Sequence, residues 1–366
     1  MLVGPQATGK SLFVQTLKLL LDADDIKAMI RRHGYNWRDD RLDDFLTLYY
    51  GEGLGRVWVD GKTTVSRDGR SQSLERLLAG KRASPRSEQV FVIPAQRVLS
   101  LYRGWPRAFT DFDVGDPYVV RQFSEQLRRL MELGLGSGEG VLFPRANRLK
   151  SELRSSLEES IFHGARLHLD ATRPQKQVVI QQGEAAIHYM AWSAGQREFV
   201  PLLLGLYWLM PSGGAARRKG VDWVVLEEPE MGLHPRAITS TLLLVAELLR
   251  RGYRVVMSTH AAQVLDFVWA LRLLQKHEAP AKKFLELFGL PATASLVQLA
   301  DVVRTKSVAT YAFEPAKSGV RVRDISTLDP EADDEATANW GGLMGFADNA
   351  AEVVAEVVAA AKRAKT

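Results

Sequence analysis

The period of apolar and polar positions changes several times along the chain. Leu12, Phe13, Leu17, Leu20 and Leu21 recur at helical spacing and predict a helix over 12–22. Residues 55–67 alternate with period two about Asp60 and Gly61, a dipeptide suited to tight turns, and predict a hairpin. Val90 to Pro94 reads as a short buried strand. Helical patterns follow over 119–133 and 149–162, with a glycine-rich loop at 134–140 between them. Residues 178–182 and 185–189 flank Gly183 and Glu184 and predict a second hairpin.

The later pattern is simpler. Phe199 to Met210 is a strongly apolar helix, followed by a polar, basic loop over 211–220. Trp223 to Leu226 is a buried strand, 238–251 a helix closed by Gly252, and 253–258 the next strand. Strand, helix, strand in this order implies a parallel sheet, so the fold class is α/β. Beyond residue 270, helical patterns over 272–288 and 350–361 flank an acidic stretch at 330–335. This gives an expected division into 1–270, with helical and β insertions at roughly 23–190, and a mainly helical extension over 271–366. No internal repeat and no long heptad run is present.

Composition narrows the classes. The chain of 366 residues, 46% hydrophobic and 25% charged, suits a soluble globular protein with one large or two modest domains. It contains no cysteine, which excludes disulfides, cysteine nucleophiles and thiolate metal sites. No run of about 18 apolar residues occurs, and Met1, Leu2 and Val3 run straight into Gly4 without a signal-peptide pattern. A cytoplasmic protein without membrane insertion is expected. A net charge of +5 and a pI near 9.3 permit nucleic-acid contact without demanding it.

Four motifs carry chemistry. Gly4, Pro5, Gln6, Ala7, Thr8, Gly9, Lys10 and Ser11 match the phosphate-loop pattern G-x-x-x-x-G-K-[ST], between a strand end and a helix start. Backbone N–H groups at such a helix N-terminus cradle phosphate oxygens. Lys10 then reaches the β- and γ-phosphates, and the Ser11 hydroxyl serves Mg2+. The apolar strand 224–226 ends in Glu227, Glu228, Pro229 and Glu230. One of its carboxylates suits Mg2+, and the next can take a proton from an attacking water; taken alone, a surface acidic cluster is the plainer reading. Ser258, Thr259 and His260 end the following strand, where a histidine can contact a γ-phosphate or simply close a strand. Ser193, Ala194, Gly195 and Gln196 precede a long helix, and Ser193 with Gln196 also fits a capping box.

In this order the motifs resemble those of ABC-type ATPases, in the soluble branch related to OLD-family, RecF and Rad50 ATPases, and among them the compact bacterial AAA15- or AAA21-type proteins. The resemblance runs from Met1 to about Asp266. Gly4–Ser11 matches Walker A, and Glu227 and Glu228 match Walker B, with Glu228 at the catalytic glutamate. Ser193–Gln196 resembles the ABC signature. Met231 to Pro235, with His234, resembles the D-loop. Gln96, in Ile93–Arg97, resembles the Q-loop glutamine, and His260 falls at the switch histidine.

The resemblance implies cofactors ATP and Mg2+ and the hydrolysis of ATP. Ser11, Glu227 and Gln96 would serve the metal, Glu228, Gln96 and His260 catalysis. Two copies would form a homodimer with composite sites, in which Ser193, Gly195, Gln196 and His234 of one copy complete the nucleotide site of the other. Glu227 stands where aspartate is usual, and His234 where a D-loop aspartate is usual. Such ATPases begin some tens of residues before Walker A, so the start three residues before the loop reads as a misassigned start or a truncation.

The implied setting is DNA processing or anti-phage defence with a separate nuclease or effector. Asp329, Glu331, Asp333, Asp334 and Glu335 lie in a loop-like run rather than at strand ends and read as solvated surface. The alternatives are a nucleotide-binding subunit of a membrane transporter and a DNA-bridging protein of the SMC type. The run from Glu228 to Pro235 disfavours the first, and the absence of a long coiled coil between Ser11 and Ser193 the second. For DNA, Arg76, Lys81, Arg82, Arg86, Arg97, Arg103 and Arg107, interleaved with Tyr102 and Trp105, and the tip Arg217, Arg218 and Lys219 read equally as solvated or phosphate-binding faces.

Overall fold

A computed structural model describes residues 1–38, 41–59, 62–74, 78, 88–133, 140–172, 174–212, 217–317 and 319–363. The chain forms two compact units, 1–10 with 258–366, and 11–257. From strand β1 (Leu2–Val3) it enters α1 (Lys10–Arg32) and passes from one unit to the other in the first turn of that helix.

In the unit 11–257, α1 continues beyond the expected end at Asp22, but Asp22 itself leaves helical geometry, with φ −119° and ψ 18°. The cause is polar. The Asp22 carboxylate accepts from the backbone N–H groups of Gln89 and Val90, each at 2.9 Å. It also pairs with Lys18 at 3.2 Å. Lys18 is fully buried and donates further to Glu88 at 2.9 Å and to the Val90 carbonyl at 2.6 Å. Burial alone would lower its pKa, but the charges of Glu88 and Asp22 outweigh this and raise it. The cluster thereby fixes where the strand at Val90 starts. Asp25, on the next turn, has its carboxyl pushed up to about 6 by burial and by the charge of Glu88.

Helix α2 (Leu42–Tyr50) follows. The next described hairpin was not expected. Strands β2 (Val65–Arg67) and β3 (Arg70–Gln72) turn at Asp68 and Gly69, both at positive φ, 52° and 73°. Two left-handed residues define the hairpin turn whose twist matches its strands, and this second Asp-Gly pair supplies it. The expected turn at 60–61 lies outside the described residues, as does the loop 134–139.

β4 (Val90–Ile93) is buried at every position. The short pair β5 (Leu101–Tyr102) and β6 (Trp105–Pro106) leads to α3 (Tyr118–Leu133). β7 (Val141–Phe143), α4 (Ser151–Leu157), β8 (Arg166–Asp170), β9 (Gln177–Gln182) and β10 (Ala185–Ile187) come next. The strands form an antiparallel sheet in the order β10-β9-β8-β7, and β9 and β10 are the second expected hairpin. α5 (Ala194–Leu209) carries Gly205, where a Cβ would lie 2.8 Å from the Phe123 ring and 2.9 Å from Ile93. Glycine thus lets α5 close onto α3 and β4. β11 (Trp223–Glu227), α6 (Pro235–Arg250) and β12 (Arg254–Ser258) complete the expected strand–helix–strand run. β11 pairs parallel with β4, Trp223 opposite Val90 through Leu226 opposite Ile93, and neighbours β12 on its other side.

In the other unit, β1 is only two residues long but has neighbours on both sides. Leu2 pairs parallel with Ser258, the last residue of β12, and with Tyr311. Val3, opposite Ala312, is buried with Leu265, Val268, Ile325, Leu328 and Trp340. The expected boundary at 270 falls inside α7 (Ala262–Lys276), and the helix expected over 272–288 is broken by Pro280 into α7 and α8 (Ala281–Glu286). α9 (Ala294–Arg304) follows. The expected mainly helical extension also contains a hairpin, β13 (Tyr311–Ala316) and β14 (Gly319–Asp324). Pro315 argues against a strand from sequence, since proline removes a ladder N–H. It is tolerated because only Tyr311 and Ala312 of β13 pair with β1. α10 (Glu335–Ala338) and α11 (Gly345–Arg363) end the described chain. In the acidic stretch, Asp334 caps α10 through the Thr337 N–H at 3.0 Å and bonds Arg323. No described helix is long and apolar enough to cross a membrane.

The pKa of Asp25 is raised in the fold, so its neutral form is the one the fold favours. The associated stability is fully present below its ordinary value of 3.8 and is lost as pH rises through about 6. Asp25→Asn should therefore raise the thermal midpoint at pH 7.5 and leave it nearly unchanged at pH 3.5. Equal shifts at both pH values would contradict this account.

Candidate functional site

The phosphate-loop motif follows β1 directly. Gly4, Ala7 and Gly9 all have positive φ, 133°, 60° and 84°. A Cβ on Gly4 would lie 2.2 Å from the Phe313 carbonyl oxygen, whereas nothing lies within 4 Å of one on Gly9. Pro5, Gln6 and Ala7 form the exposed tip. The Thr8 hydroxyl closes the loop on the Pro5 carbonyl at 2.8 Å. The buried Lys10 ammonium donates to the Gly4 and Pro5 carbonyls at 2.7 and 2.8 Å. The loop then runs into the first turn of α1, where N–H groups have no intrahelical acceptor. In the same unit, the Thr259 N–H donates to the Leu2 carbonyl at 3.1 Å, which registers half-buried His260 against the strand that feeds the loop.

In the unit 11–257, the Ser11 side chain and the Ala95 backbone N–H lie against the Glu227 carboxylate and favour its charged form. Glu227 is 2% exposed, and its Oε1 is buried without a hydrogen-bond partner. Burial raises its pKa and the Glu228 charge adds to the effect, while the neighbouring Ser11 hydroxyl opposes it. Glu228 is half-buried, with its backbone in the left-handed region at φ 46°.

Arg97 organises these groups. Its side chain is completely buried. Its guanidinium donates to the carbonyls of Glu198, Glu227 and Glu228 at 3.1, 3.0 and 3.1 Å. It also pairs with the Glu198 carboxylate at 3.4 Å. Burial lowers the Arg97 pKa against the pull of Glu198 and the three glutamates around β11's end. Burial raises Glu198, and Arg97 opposes. The chain around Gln96, the start of α5 and the end of β11 are thus tied by one side chain. Gln96 is exposed, one residue before it.

Ser193 caps α5 with both bonds of the capping box. Its hydroxyl accepts the Gln196 N–H at 3.2 Å, and its own N–H donates to the Gln196 side chain at 3.0 Å. A Cβ on Gly195 would lie 2.8 Å from the Gly232 carbonyl oxygen, so the signature-like and D-loop-like segments touch backbone to backbone. His234 caps α6, its Nδ1 accepting the Arg236 N–H at 3.3 Å. The exposure of Ser193 and His234 leaves both accessible from solvent.

Sequence reasoning placed Arg97 among surface bases, and this is corrected: it is internal. Its signal was a cation four residues after a wholly apolar strand, answered by Glu198 on an apolar helix. Other members of the basic set are partly engaged. Arg103 is exposed over the Tyr102 ring, at 5.3 Å, and Arg107 lies 3.8 Å over Phe112. Arg218 stacks on Trp208 at 3.5 Å, and Arg217 pairs with Asp222 at 2.8 Å. Arg76, Lys81, Arg82 and Arg86 lie outside the described residues.

A family described as an AAA domain, putative AbiEii toxin, type IV TA system, matches residues 154–266. This span contains Ser193, Glu227, Glu228, His234 and His260 but neither the phosphate loop nor Gln96. No curated protein matches the chain. Among solved structures, an SMC head bound to the C-terminal winged-helix domain of ScpA aligns with a TM-score of 0.40 and 12% identity over 88% of each chain. The motif order, the parallel β4–β11 pairing and the matched domain together give an ABC-like P-loop NTPase fold.

Two substitution series test these contacts. Gly4→Ala should cost about 3 kcal/mol or more in chemical unfolding, through the Phe313 clash and strained φ, and Gly9→Ala only about 1 kcal/mol. Comparable losses at the two positions would mean that backbone conformation alone, not close approach, fixes Gly4. Arg97→Ala should cost about 3–5 kcal/mol because it leaves Glu198 without its partner. Arg103→Ala should stay within about 0.5 kcal/mol. A mild Arg97→Ala would refute its role as the organising contact.

Proposed function

We propose that this chain binds ATP with Mg2+ and hydrolyses it to ADP and phosphate, two copies closing over composite sites. The observation that carries the proposal is the Ser11–Glu227 contact, with Glu227 Oε1 left buried and unpartnered at the end of β11. A buried carboxylate oxygen without a donor is costly. A hydroxyl and a carboxylate are the hard oxygen ligands that Mg2+ takes. The residues fit the ion, and Ser11 and Glu227 would hold it, with Gln96 from the neighbouring turn.

The metal would neutralise charge on the phosphates. The remaining chemistry belongs to the chain. Backbone N–H groups of Gly4–Lys10 and the start of α1 bind the phosphates. Lys10 exchanges its carbonyl acceptors for phosphate oxygens and stabilises transferred charge. Glu228 accepts the proton of the attacking water, its backbone held by Arg97. Gln96 and His260 position the water and the γ-phosphate.

In the dimer, the exposed Ser193 hydroxyl and the α5 N-terminus would face the γ-phosphate held by the other copy, with Gln196 and His234 alongside. ATP then favours the closed dimer because it makes those contacts only there. The setting of this reaction is DNA processing or anti-phage defence with a partner effector; the description of the family that matches residues 154–266, a putative toxin of a toxin–antitoxin system, fits a defence setting and names no partner effector.

Glu228→Gln should bind ATP, form a dimer with Mg-ATP by light scattering, and turn over at least about 10²-fold more slowly than the parent. Lys10→Ala should neither bind ATP nor respond to it. Parent-like turnover by Glu228→Gln would remove the general-base assignment. A chain that binds no ATP would overturn the whole reading.

A further inference from the structure

Of the carboxylates gathered around Arg97, Glu198 comes from α5, five residues after the Ser193 cap. Its carbonyl takes the Arg97 Nε–H at 3.1 Å, and its Oε2 lies 3.4 Å from the same nitrogen. That oxygen is buried and accepts no hydrogen bond among the described residues. The carboxylate therefore meets Arg97 as a charge rather than as a hydrogen-bond acceptor. On its other side, a Cβ on Gly232 would lie 3.3 Å from Glu198 Cγ, so the D-loop-like segment limits where the side chain can go.

A brace for the backbone would not need this carboxylate. Arg97 already donates to three carbonyls through Nε, Nη1 and Nη2. The carbonyls do not supply a countercharge, which a buried guanidinium demands. Among the carboxylates that act on Arg97, Glu198 acts most strongly, followed by Glu230, Glu228 and Glu227. Without the Glu198 charge, the guanidinium would be left to the other three. The main chain of Glu228 is fixed, its carbonyl accepting from Arg97 at 3.1 Å and from the Met231 N–H at 3.0 Å. Its side chain is half-buried and so less confined than that of Glu227, which is 2% exposed. The Glu228 carboxylate is thus the group free to turn toward an unbalanced Arg97.

We propose that Glu198 is a positioning residue: by neutralising Arg97, it leaves the Glu228 carboxylate directed at the reacting water. It acts through Arg97 and Glu228 and touches neither nucleotide nor water itself. The inference rests on the reading that the chain hydrolyses ATP with Glu228 as general base.

Glu198→Gln tests it, because glutamine keeps the shape and the backbone carbonyl and removes the charge. ATP binding, light scattering with Mg-ATP and turnover are measured on the full chain. Unchanged ATP affinity and an unchanged ATP-driven dimer are expected, with kcat about 10- to 100-fold lower, the range that a small misplacement of a catalytic group costs. Glu198→Asp, which keeps the charge, should recover most of kcat. The decisive comparison adds Glu198→Gln to Glu228→Gln and follows single turnovers. Residues that act as a unit are not additive, so the added substitution should change the residual rate by less than about two-fold. A mere brace for the fold would lower the rate by the same factor with or without Glu228. If Glu198→Gln does not fold, the same two backgrounds are compared with Glu198→Asp, whose smaller loss should likewise vanish in Glu228→Gln. A Glu198→Gln chain that turns over like the parent, or a loss of the same factor in both backgrounds, would overturn this inference and leave ATP hydrolysis in place. A parent that binds no ATP would overturn the reading it rests on, and this inference with it.

Discussion

The buried guanidinium of Arg97 is the contact on which the arrangement of the unit 11–257 depends. Removing such a charge from water is expensive unless geometry and hydrogen bonds compensate. Here three carbonyls and one carboxylate do so, and they come from α5 and from the last residue of β11 and its successor. The same bonds explain how Glu228 keeps a left-handed backbone, a conformation that costs a non-glycine residue free energy unless its surroundings impose it. The carbonyls of Glu227 and Glu228 are both held, so the two carboxylates leave the strand end in fixed directions.

β4 is bracketed by two buried cations. Lys18 takes the carbonyl of its first residue, and Arg97 follows its last by four positions. Between them, Val90 to Ile93 are wholly apolar and could slide by a residue without loss of burial, since a strand covered on both faces has no polar side to penalise a slip. The charges remove that freedom. Each has acceptors in one register only, so the polar clusters set alignment while the apolar contacts supply the driving force for burial.

The other unit uses backbone economy instead. β1 is two residues long and persists because it pairs on both sides. The loop after it must start on Gly4, where the Phe313 carbonyl leaves no room for a side chain. The C-terminal hairpin that seemed a remote extension by sequence therefore shapes the start of the phosphate loop. α11 contrasts with both, since none of its residues is buried.

The sequence by itself determined the local features. Helical and two-residue periods located most elements. The eight-residue phosphate loop, the paired glutamates and the capping box at Ser193 were legible because each is a pattern of neighbours whose chemistry needs only contiguous backbone. Two things escaped it, besides the hairpin at Asp68 and Gly69, which was not read from the sequence. β13 hid behind Pro315, because tolerance of proline depends on which residues face a neighbouring strand. Arg97 passed for a surface base, because a cation's burial is decided by acceptors distant in sequence: Glu198 is 101 residues away and Glu227 130. Period and motif are carried by adjacent residues, whereas register, burial of charge and close backbone approach arise only when distant segments meet, and these the tertiary structure alone decided.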